Sequence, residues 1–217
     1  MAYKIVIDAG HNGLTDPGAV YNGRRESDDT LRLANAVGKI LSRSGYDVVY
    51  TRTGDINQSV VQKAQLANDE DADLFVSIHR NMGNYPEQYN GVQTLIYDRS
   101  GIKLPMAEKI NEELEEVGFR NINVDVRPDL AVLRRTKMPA LLVEAGFLDS
   151  QKDNQLFDER FDDVAEAIAD GIMDTLEDQK GRPLYRVQVG AFRNLQNAVE
   201  LEQELKRLGY NTWIVTV

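Results

Sequence analysis

The stretch Asp71-Ala72-Asp73-Leu74-Phe75-Val76-Ser77-Ile78-His79 contains the clearest buried strand of the chain. Nearly every residue in 74–78 is apolar, and residue types that favour β-structure dominate it. A strand that is apolar on both faces is typical of a parallel sheet covered by helices on both sides. The stretch therefore predicts a strand inside such a sheet, with His79 directly after it.

Short apolar segments and amphipathic segments alternate on both sides of this strand. Further strands are predicted at 3–8, 47–52, 92–97 and 140–144. Apolar residues at helical spacing predict helices within 31–41, 59–68, 106–117 and 161–176. The segment 120–138 is expected to be irregular. The alternation predicts an α/β fold, with a mainly parallel twisted sheet flanked by helices on both faces.

The end of the chain differs in composition from the rest. Residues 1–180 carry 20 basic and 32 acidic side chains, whereas residues 181–217 carry 5 and 3. The segment 179–183, Gln-Lys-Gly-Arg-Pro, interrupts both helical and strand periodicity. We therefore predict a main domain at 1–178, a linker at 179–183 and a small C-terminal module at 184–217. The module has a βαβ pattern, with strands predicted at 184–190 and 211–217 and a helix between them.

Composition excludes several classes of protein. The chain has 217 residues, a formal net charge of −10 and no long basic tract, so nucleic acid is not an expected partner. No apolar run reaches the roughly 18 to 20 residues that a membrane-spanning helix needs. The chain opens without a recognisable signal peptide, so it is expected to be made in the cytoplasm. It contains no cysteine, so any metal must be held by histidine and carboxylate groups.

Two histidines are present, and both follow predicted strands. His11 follows the first predicted strand, and His79 follows the buried strand quoted above. Because ligands of open α/β sheets bind beyond the carboxyl ends of the strands, these two side chains are candidates for one site. Glu144 ends the last predicted strand of the main domain and is expected at the same edge. Glu26 lies near the start of the first helix.

Two histidines and one carboxylate form a standard catalytic zinc set, in which a fourth position is open to water and a second glutamate acts as a general base. The residue types therefore favour a zinc hydrolase. Spacing alone does not decide which acid binds the metal, because the candidate ligands come from separate elements. Asp28 and Asp29, near the start of the first helix, are expected only to favour the helix dipole.

A set of motifs in the main domain resembles a known family. The motifs are Ile7-Asp8-Ala9-Gly10-His11-Asn12-Gly13, Asp16-Pro17-Gly18-Ala19, Glu26, Ser77-Ile78-His79-Arg80-Asn81, Leu133-Arg134 and residues 139–147. Together and in this order they resemble zinc-dependent N-acetylmuramoyl-L-alanine amidases, the amidase-3 type of cell-wall hydrolase. The resemblance implies hydrolysis of the amide bond between N-acetylmuramic acid and L-alanine in peptidoglycan. It also implies that His11, Glu26 and His79 bind Zn²⁺ and that Glu144 is the catalytic carboxylate.

Further expectations follow from this resemblance. Arg134 is expected to help hold the oxyanion, with a purely structural place on the surface as the alternative. The sequence departs from the family pattern at Ala9, Asn12 and Arg80, where proline, glycine and a small residue are common. None of these changes removes a ligand. Arg80 is expected to affect which peptides or glycans fit beside the metal.

The segment Tyr185-Arg186-Val187-Gln188-Val189-Gly190-Ala191-Phe192 resembles the opening of a SPOR domain, a small module that binds peptidoglycan glycan strands. About half of such a module is present, and a remnant that binds nothing is the alternative. The two resemblances together imply peptidoglycan as the partner, both as substrate and through its glycan strands. No oligomeric state is predicted.

Two other functions stay open at this point. A zinc carboxypeptidase or aminopeptidase acting on peptides could use a similar ligand set. A non-catalytic wall-binding protein could keep the fold without turnover, although the presence of all four candidate metal and catalytic residues argues against it. An amidase without an export signal is expected to act on the cell wall after lysis or release, as a phage endolysin or a sporulation enzyme would.

Overall fold

A six-stranded sheet forms the centre of the chain in the computed structural model, which describes residues 2–179 and 189–208. The strands are β1 Lys4–Ala9, β2 Val20–Tyr21, β3 Arg24–Arg25, β4 Asp47–Tyr50, β5 Leu74–Asn81, β6 Val92–Ile96, β7 Asn121–Val126 and β8 Ala140–Phe147. The helices are α1 Glu26–Arg43, α2 Val60–Asp69, α3 Lys103–Val117, α4 Ala131–Arg135, α5 Gln151–Glu159, α6 Phe161–Gln179 and α7 Leu195–Arg207.

The sheet is mainly parallel, as predicted. Its strands lie in the order β4-β1-β5-β8-β6-β7. The first four are parallel to one another, β6 is antiparallel to β8, and β7 is parallel to β6. From β1 the chain passes to β4 on one side of β1 and then from β4 to β5 on the other side, so it reverses its winding direction beside β1. Ligand sites of such sheets form in the crevice at this point.

Helices cover both faces of the sheet, which confirms the predicted architecture. On one face, apolar side chains of α1, α3 and α6 pack against those of the strands around Ile7, Val76 and Val143. On the other face, α2 and α4 pack against residues that include Val6, Phe75 and Leu142. Alternate residues of each strand point to opposite faces, so both faces of the central strands are buried in apolar cores.

Two strands extend further than their sequences predict. β5 continues to Asn81 and β8 to Phe147, because residues 79–81 pair with residues 144–147. The pairing contains an irregularity after His79. His79 therefore lies inside β5 and not directly after it, and Glu144 lies inside β8 and not at its last position.

The segment 120–138, expected to be irregular, contains β7 and α4. In β7, Ile122, Val124 and Val126 alternate with polar residues, and this period of two is a strand signal that the expectation overlooked. α4 has five residues, which is too short for helical periodicity to identify. The hairpin of β2 and β3 was also not predicted, although its connection, Asn22-Gly23, is a strong signal for a two-residue turn.

The chain divides into two compact units, residues 1–180 and 181–217. In the second unit, α7 confirms the helix predicted there, and the side chain of Asn194 caps it by accepting a hydrogen bond from the Gln196 amide. The predicted strand at 211–217, and nearly all of the predicted linker at 179–183 and strand at 184–190, lie outside the described residues. Among the helices that are described, none is both long enough and apolar enough to cross a membrane.

Candidate active site

His11 lies in a tight turn that follows β1. Its φ is +60°, a left-handed conformation that is uncommon for a side chain of this size. Its Nδ1 lies 2.9 Å from Asp16 Oδ1, and its Nε2 lies 3.0 Å from Glu26 Oε2. The Asp16 carboxylate therefore fixes the orientation of the ring on one side while the other nitrogen faces Glu26.

Buried cations hold the backbone of this turn. Lys63 Nζ donates to the carbonyl oxygens of Ala9 at 2.7 Å and His11 at 3.1 Å. Arg52 Nη2 donates to the carbonyl oxygen of Gly10 at 2.8 Å. Because these donors occupy three successive carbonyl groups, the uncommon backbone conformation of His11 is held by tertiary contacts.

A buried carboxylate lies beneath the same turn. Asp8 accepts hydrogen bonds from Ser77 Oγ and Thr51 Oγ1, each at 2.6 Å, and pairs with Lys63 Nζ at 2.9 Å. Burial by itself would raise the pKa of Asp8, but the Lys63 ammonium and the two hydroxyl groups hold it below the ordinary value. Sequence reasoning assigned no role to either charged residue of this pair.

Glu26 brings the two histidines together. It is the first residue of α1, and its carboxylate contacts His11 Nε2 through Oε2 and His79 Nδ1 through Oε1, at 3.0 and 2.9 Å. Backbone amides of Ala19 and Arg80 donate to the same two oxygens, at 2.9 and 3.1 Å. One ligand atom from each of His11, Glu26 and His79 lies within 4.8 Å of the others.

The electrostatics of this triad follow from its burial and its contacts. Burial alone would raise the pKa of the Glu26 carboxyl, but hydrogen bonds from both imidazoles hold it well below its usual range. Burial alone would lower the pKa of His11, but Glu26 and Asp16 raise it above its usual value. The carboxylate is therefore ionised, and the site attracts positive charge.

The donor set fits a zinc ion. When the His11 ring is protonated, Nε2 donates to the Glu26 carboxylate, which is the hydrogen bond that lowers the pKa of Glu26. When the ring is neutral and Nδ1 donates to Asp16, the lone pair of Nε2 faces that carboxylate, so two acceptors face each other. A cation between them removes the repulsion. Two imidazole nitrogens and one carboxylate are also the ligands of many catalytic zinc sites.

A cradle formed by two glycines surrounds these donors. A Cβ atom on Gly18 would lie 2.5 Å from His11 Cδ2 and 2.6 Å from Glu26 Oε2. A Cβ atom on Gly10 would lie 2.6 Å from His79 Cε1. Both backbones therefore approach the triad more closely than any other residue type would permit.

Glu144 lies beside this triad. It is the direct register partner of His79 on the neighbouring strand. Its Oε2 atom is buried and has no hydrogen-bond partner in the described part of the chain. Burial raises the pKa of the Glu144 carboxyl to about 7, against the opposing effect of His79 and with a further contribution from Glu26. A carboxyl group with this pKa exchanges protons readily near neutral pH.

Arg80 is buried, and its side chain is 0% exposed. Nη1 donates to Asp29 Oδ2 at 2.7 Å. Asp29, expected only to favour the helix dipole, is buried and also accepts a hydrogen bond from Arg24. Opposite charges separated by many residues form this cluster, and no local pattern indicates it.

Arg134 lies in α4 and is exposed to solvent. Nη1 donates to the backbone carbonyl oxygens of Pro128 and Asp129, at 3.4 and 3.1 Å. These contacts hold the segment that precedes α4. The predicted oxyanion role of Arg134 stays a prediction.

The structure thus brings His11, Glu26 and His79 together, with Glu144 beside them.

Two family models match the chain. The model of the SPOR domain matches residues 164–216, so its match begins inside α6, before the module boundary predicted at residue 184. The model described as N-acetylmuramoyl-L-alanine amidase matches residues 5–174. This second match contains every candidate residue of the site.

Individual relatives share the sequence and the fold. The sporulation-specific N-acetylmuramoyl-L-alanine amidase of Bacillus subtilis is 33% identical over 220 residues, covering 98% of this chain and 84% of the relative. The endolysin of Bacillus phage SPP1 is 35% identical over 161 residues, covering 72% of this chain and 59% of the endolysin. The crystal structure of an amidase from Clostridium difficile 630 matches with a TM-score of 0.74 at 32% identity, covering 81% of this chain and 97% of the other. The chain belongs to the N-acetylmuramoyl-L-alanine amidase family.

Proposed function

We propose that the protein is a zinc-dependent hydrolase of the amide bond between N-acetylmuramic acid and L-alanine in peptidoglycan. The observation that carries this proposal is the convergence of His11 Nε2, His79 Nδ1 and the Glu26 carboxylate at the crevice of the sheet. Family membership supports the choice of bond, and the donor chemistry supports the choice of metal. The place of action that we propose is the cell wall, where this substrate lies.

His11, Glu26 and His79 would hold the zinc ion, and Asp16 would orient the His11 ring from behind. A carboxylate bonded to the outer nitrogen of a ligating histidine fixes its tautomer and makes it a better donor. Zinc in such a site acts as a Lewis acid, which polarises a carbonyl oxygen and lowers the pKa of water. Both imidazoles of the chain are then occupied, so the proton transfers must be carried out by another group.

Glu144 is the group that we propose for those transfers. Its carboxylate accepts a proton from the attacking water while the water oxygen bonds to the amide carbon. The same carboxyl group then donates that proton to the nitrogen of L-alanine as the carbon–nitrogen bond breaks. A pKa of about 7 suits both halves of this cycle, because the group can bind and release a proton at neutral pH.

We also propose that the C-terminal unit binds peptidoglycan glycan strands. The match of the SPOR domain model to residues 164–216 supports this assignment. Such binding would keep the enzyme on its polymeric substrate. Co-sedimentation with purified peptidoglycan, compared between the full chain and a chain ending at residue 180, tests it: equal binding would contradict the proposal.

Digestion of purified peptidoglycan tests the main proposal. The protein is stripped of metal with a chelator, and one equivalent of Zn²⁺ is returned to half of it. We expect the zinc-loaded protein to release stem peptides with a free L-alanine amino group, identified by mass spectrometry, and the stripped protein to release none. Cleavage of free peptides with no release from the wall would instead identify a peptidase, and zinc-independent release would contradict the metal assignment.

A further inference from the structure

Arg80 is a feature of the site that the metal ligands alone do not explain. It directly follows His79 on β5, and its side chain is 0% exposed. A buried guanidinium is costly unless its donors find partners. Its partners therefore show which parts of the fold it joins.

The guanidinium bonds to three elements. Nη1 donates to Asp29 Oδ2 on α1, and Nη2 donates to Asn154 Oδ1 on α5, both at 2.7 Å. Nε donates to the carbonyl oxygen of Gly146 and Nη2 to that of Phe147, each at 3.3 Å, at the end of β8. The carbon at the centre of the group lies 4.2 Å from the centre of the Phe157 ring.

Each bonded element except α5 carries a residue of the site. Asp29 lies just under one helical turn after Glu26 on α1, and Gly146 lies two residues after Glu144 on β8. Arg80 itself is the next residue in the chain after His79. Its backbone amide also donates to Glu26 Oε1 at 3.1 Å. One residue thus connects the elements that carry two candidate ligands and the candidate proton carrier.

We propose that Arg80 is a positioning residue, which fixes Glu26, His79 and Glu144 relative to one another through its bonds to α1 and β8. Its guanidinium donates to none of the three candidate metal ligands. This inference rests on the proposed function, because it concerns the zinc site of that function. Groups that orient metal ligands from behind typically change metal affinity or activity by about 10- to 100-fold when they are removed.

Arg24 provides a matched control within the same cluster. Arg24 Nε also donates to Asp29 Oδ2, at 2.6 Å, and its guanidinium lies 5.2 Å from the centre of the Phe157 ring. Its other partner is Asp158 on α5, and the structure gives it no bond to β5 or β8. Replacement by lysine keeps the positive charge at either position but loses the forked geometry.

The experiment compares Arg80→Lys with Arg24→Lys. Zinc affinity is measured by competition with a chromophoric chelator, and the Co²⁺-loaded proteins are examined by visible absorption, both well below the melting temperature of each variant. We expect Arg80→Lys to bind zinc about tenfold or more weakly and to show an altered Co²⁺ spectrum. Arg24→Lys is expected to melt at a lower temperature but to keep the affinity and spectrum of the parent protein.

Kinetics on a muramyl-peptide fragment separates positioning from substrate recognition. A positioning role lowers kcat and leaves KM unchanged, whereas a contact with substrate raises KM. Parent-like zinc affinity and kcat in a folded Arg80→Lys protein would overturn the proposal, as would equal losses in both lysine variants. If Arg80→Lys does not fold, zinc affinity is measured in the same way on Asp29→Asn, which removes the charged partner of Arg80 on α1. A zinc affinity equal to that of the parent protein in Asp29→Asn would overturn the proposal. Failure of the parent protein to bind zinc would instead refute the proposed function.

Discussion

His79 and Glu144 are direct register partners on the neighbouring parallel strands β5 and β8. Because side chains at paired positions point to the same face of a sheet, the two groups lie side by side on one face. The Nδ1 atom of His79 faces Glu26, whereas the buried Oε2 atom of Glu144 has no hydrogen-bond partner among the described residues. The pairing of two strands thus places a candidate metal ligand next to a carboxyl group that is free to exchange a proton.

Glu144→Gln tests the division of roles between these neighbours. The amide has the same shape as the carboxyl group but accepts no proton, so we expect kcat on peptidoglycan to fall by about 10²- to 10⁴-fold. Zinc content, measured by atomic emission after gel filtration, is expected to equal that of the parent protein. His79→Ala is the complementary variant and is expected to lose the metal. Undiminished turnover by Glu144→Gln would show that another group carries the proton.

Gly18→Ala tests the cradle around the triad. A methyl group on Gly18 would overlap His11 and the Glu26 carboxylate, so zinc binding is expected to be lost. Gly23→Ala is the control, because Gly23 also has a positive φ, +80° against +67° for Gly18, but a Cβ there meets nothing within 4 Å. In both variants an alanine must adopt a positive φ, which costs about 1–2 kcal/mol. Both variants should therefore have a lower melting temperature than the parent protein. Equal zinc affinity in the two variants would exclude close packing of Gly18 against the donors.

Asp16→Asn tests the support of His11. The Asp16 carboxylate lies 2.9 Å from His11 Nδ1, and its removal leaves the ring without a charged partner on that side. We expect zinc to bind about 10- to 100-fold more weakly, as measured by chelator competition, with the melting temperature of the metal-free protein little changed. Retention of the parent affinity would mean that the turn alone orients the ring.

Lys63→Met tests the buried ion pair beneath the His11 turn. Loss of the ammonium leaves the Asp8 carboxylate buried without its counter-charge, so the free energy of unfolding is expected to fall by about 3–5 kcal/mol at pH 7. Urea denaturation of the metal-free parent and variant proteins measures this difference in unfolding free energy. The double variant Asp8→Asn with Lys63→Met is expected to recover much of the loss, because it removes the unpaired charge.

The same pair predicts a pH dependence. The pKa of Asp8 in the folded protein is lowered from 3.8, so the pair's contribution to stability is complete above pH 3.8 and is lost as the pH falls through the lower, folded value. The difference in unfolding free energy between the parent protein and Lys63→Met should therefore narrow as the solution is acidified. A difference independent of pH would show that Lys63 stabilises the fold through packing and its hydrogen bonds to the backbone carbonyl groups, and not through its ion pair with Asp8.

The sequence predicted the sheet and the main chemical groups for a physical reason. The strand at 74–78 is buried on both faces, so its composition alone distinguishes it from the rest of the chain. His11, His79 and Glu144 lie at or near the ends of such strands, and parallel strands bring their carboxyl ends to one edge. The positions of the predicted strand ends therefore predicted most of the candidate site.

The supporting contacts could not be predicted in the same way. Lys63 and Asp8 are separated by 55 positions, and Arg80 and Asp29 by 51, and each pair consists of common residue types with no fixed spacing. Such pairs exist only because helices and strands pack together in three dimensions. The burial of Arg80 is an example: His79 points into the site, whereas the side chain of Arg80 points to the opposite face of β5 and is buried there. The expected effect of Arg80 on which peptides or glycans fit beside the metal stays a prediction.

X-ray absorption spectroscopy at the zinc edge, on the protein loaded with one equivalent of Zn²⁺, tests the central claim most directly. We expect one zinc ion per chain, coordinated by two imidazole nitrogens at about 2.0–2.1 Å and by carboxylate oxygen. The imidazole contribution is expected to disappear in His79→Ala together with tight zinc binding. A spectrum without imidazole ligands, or the same spectrum from the parent protein and His79→Ala, would contradict the assignment of His11, Glu26 and His79 as the metal site.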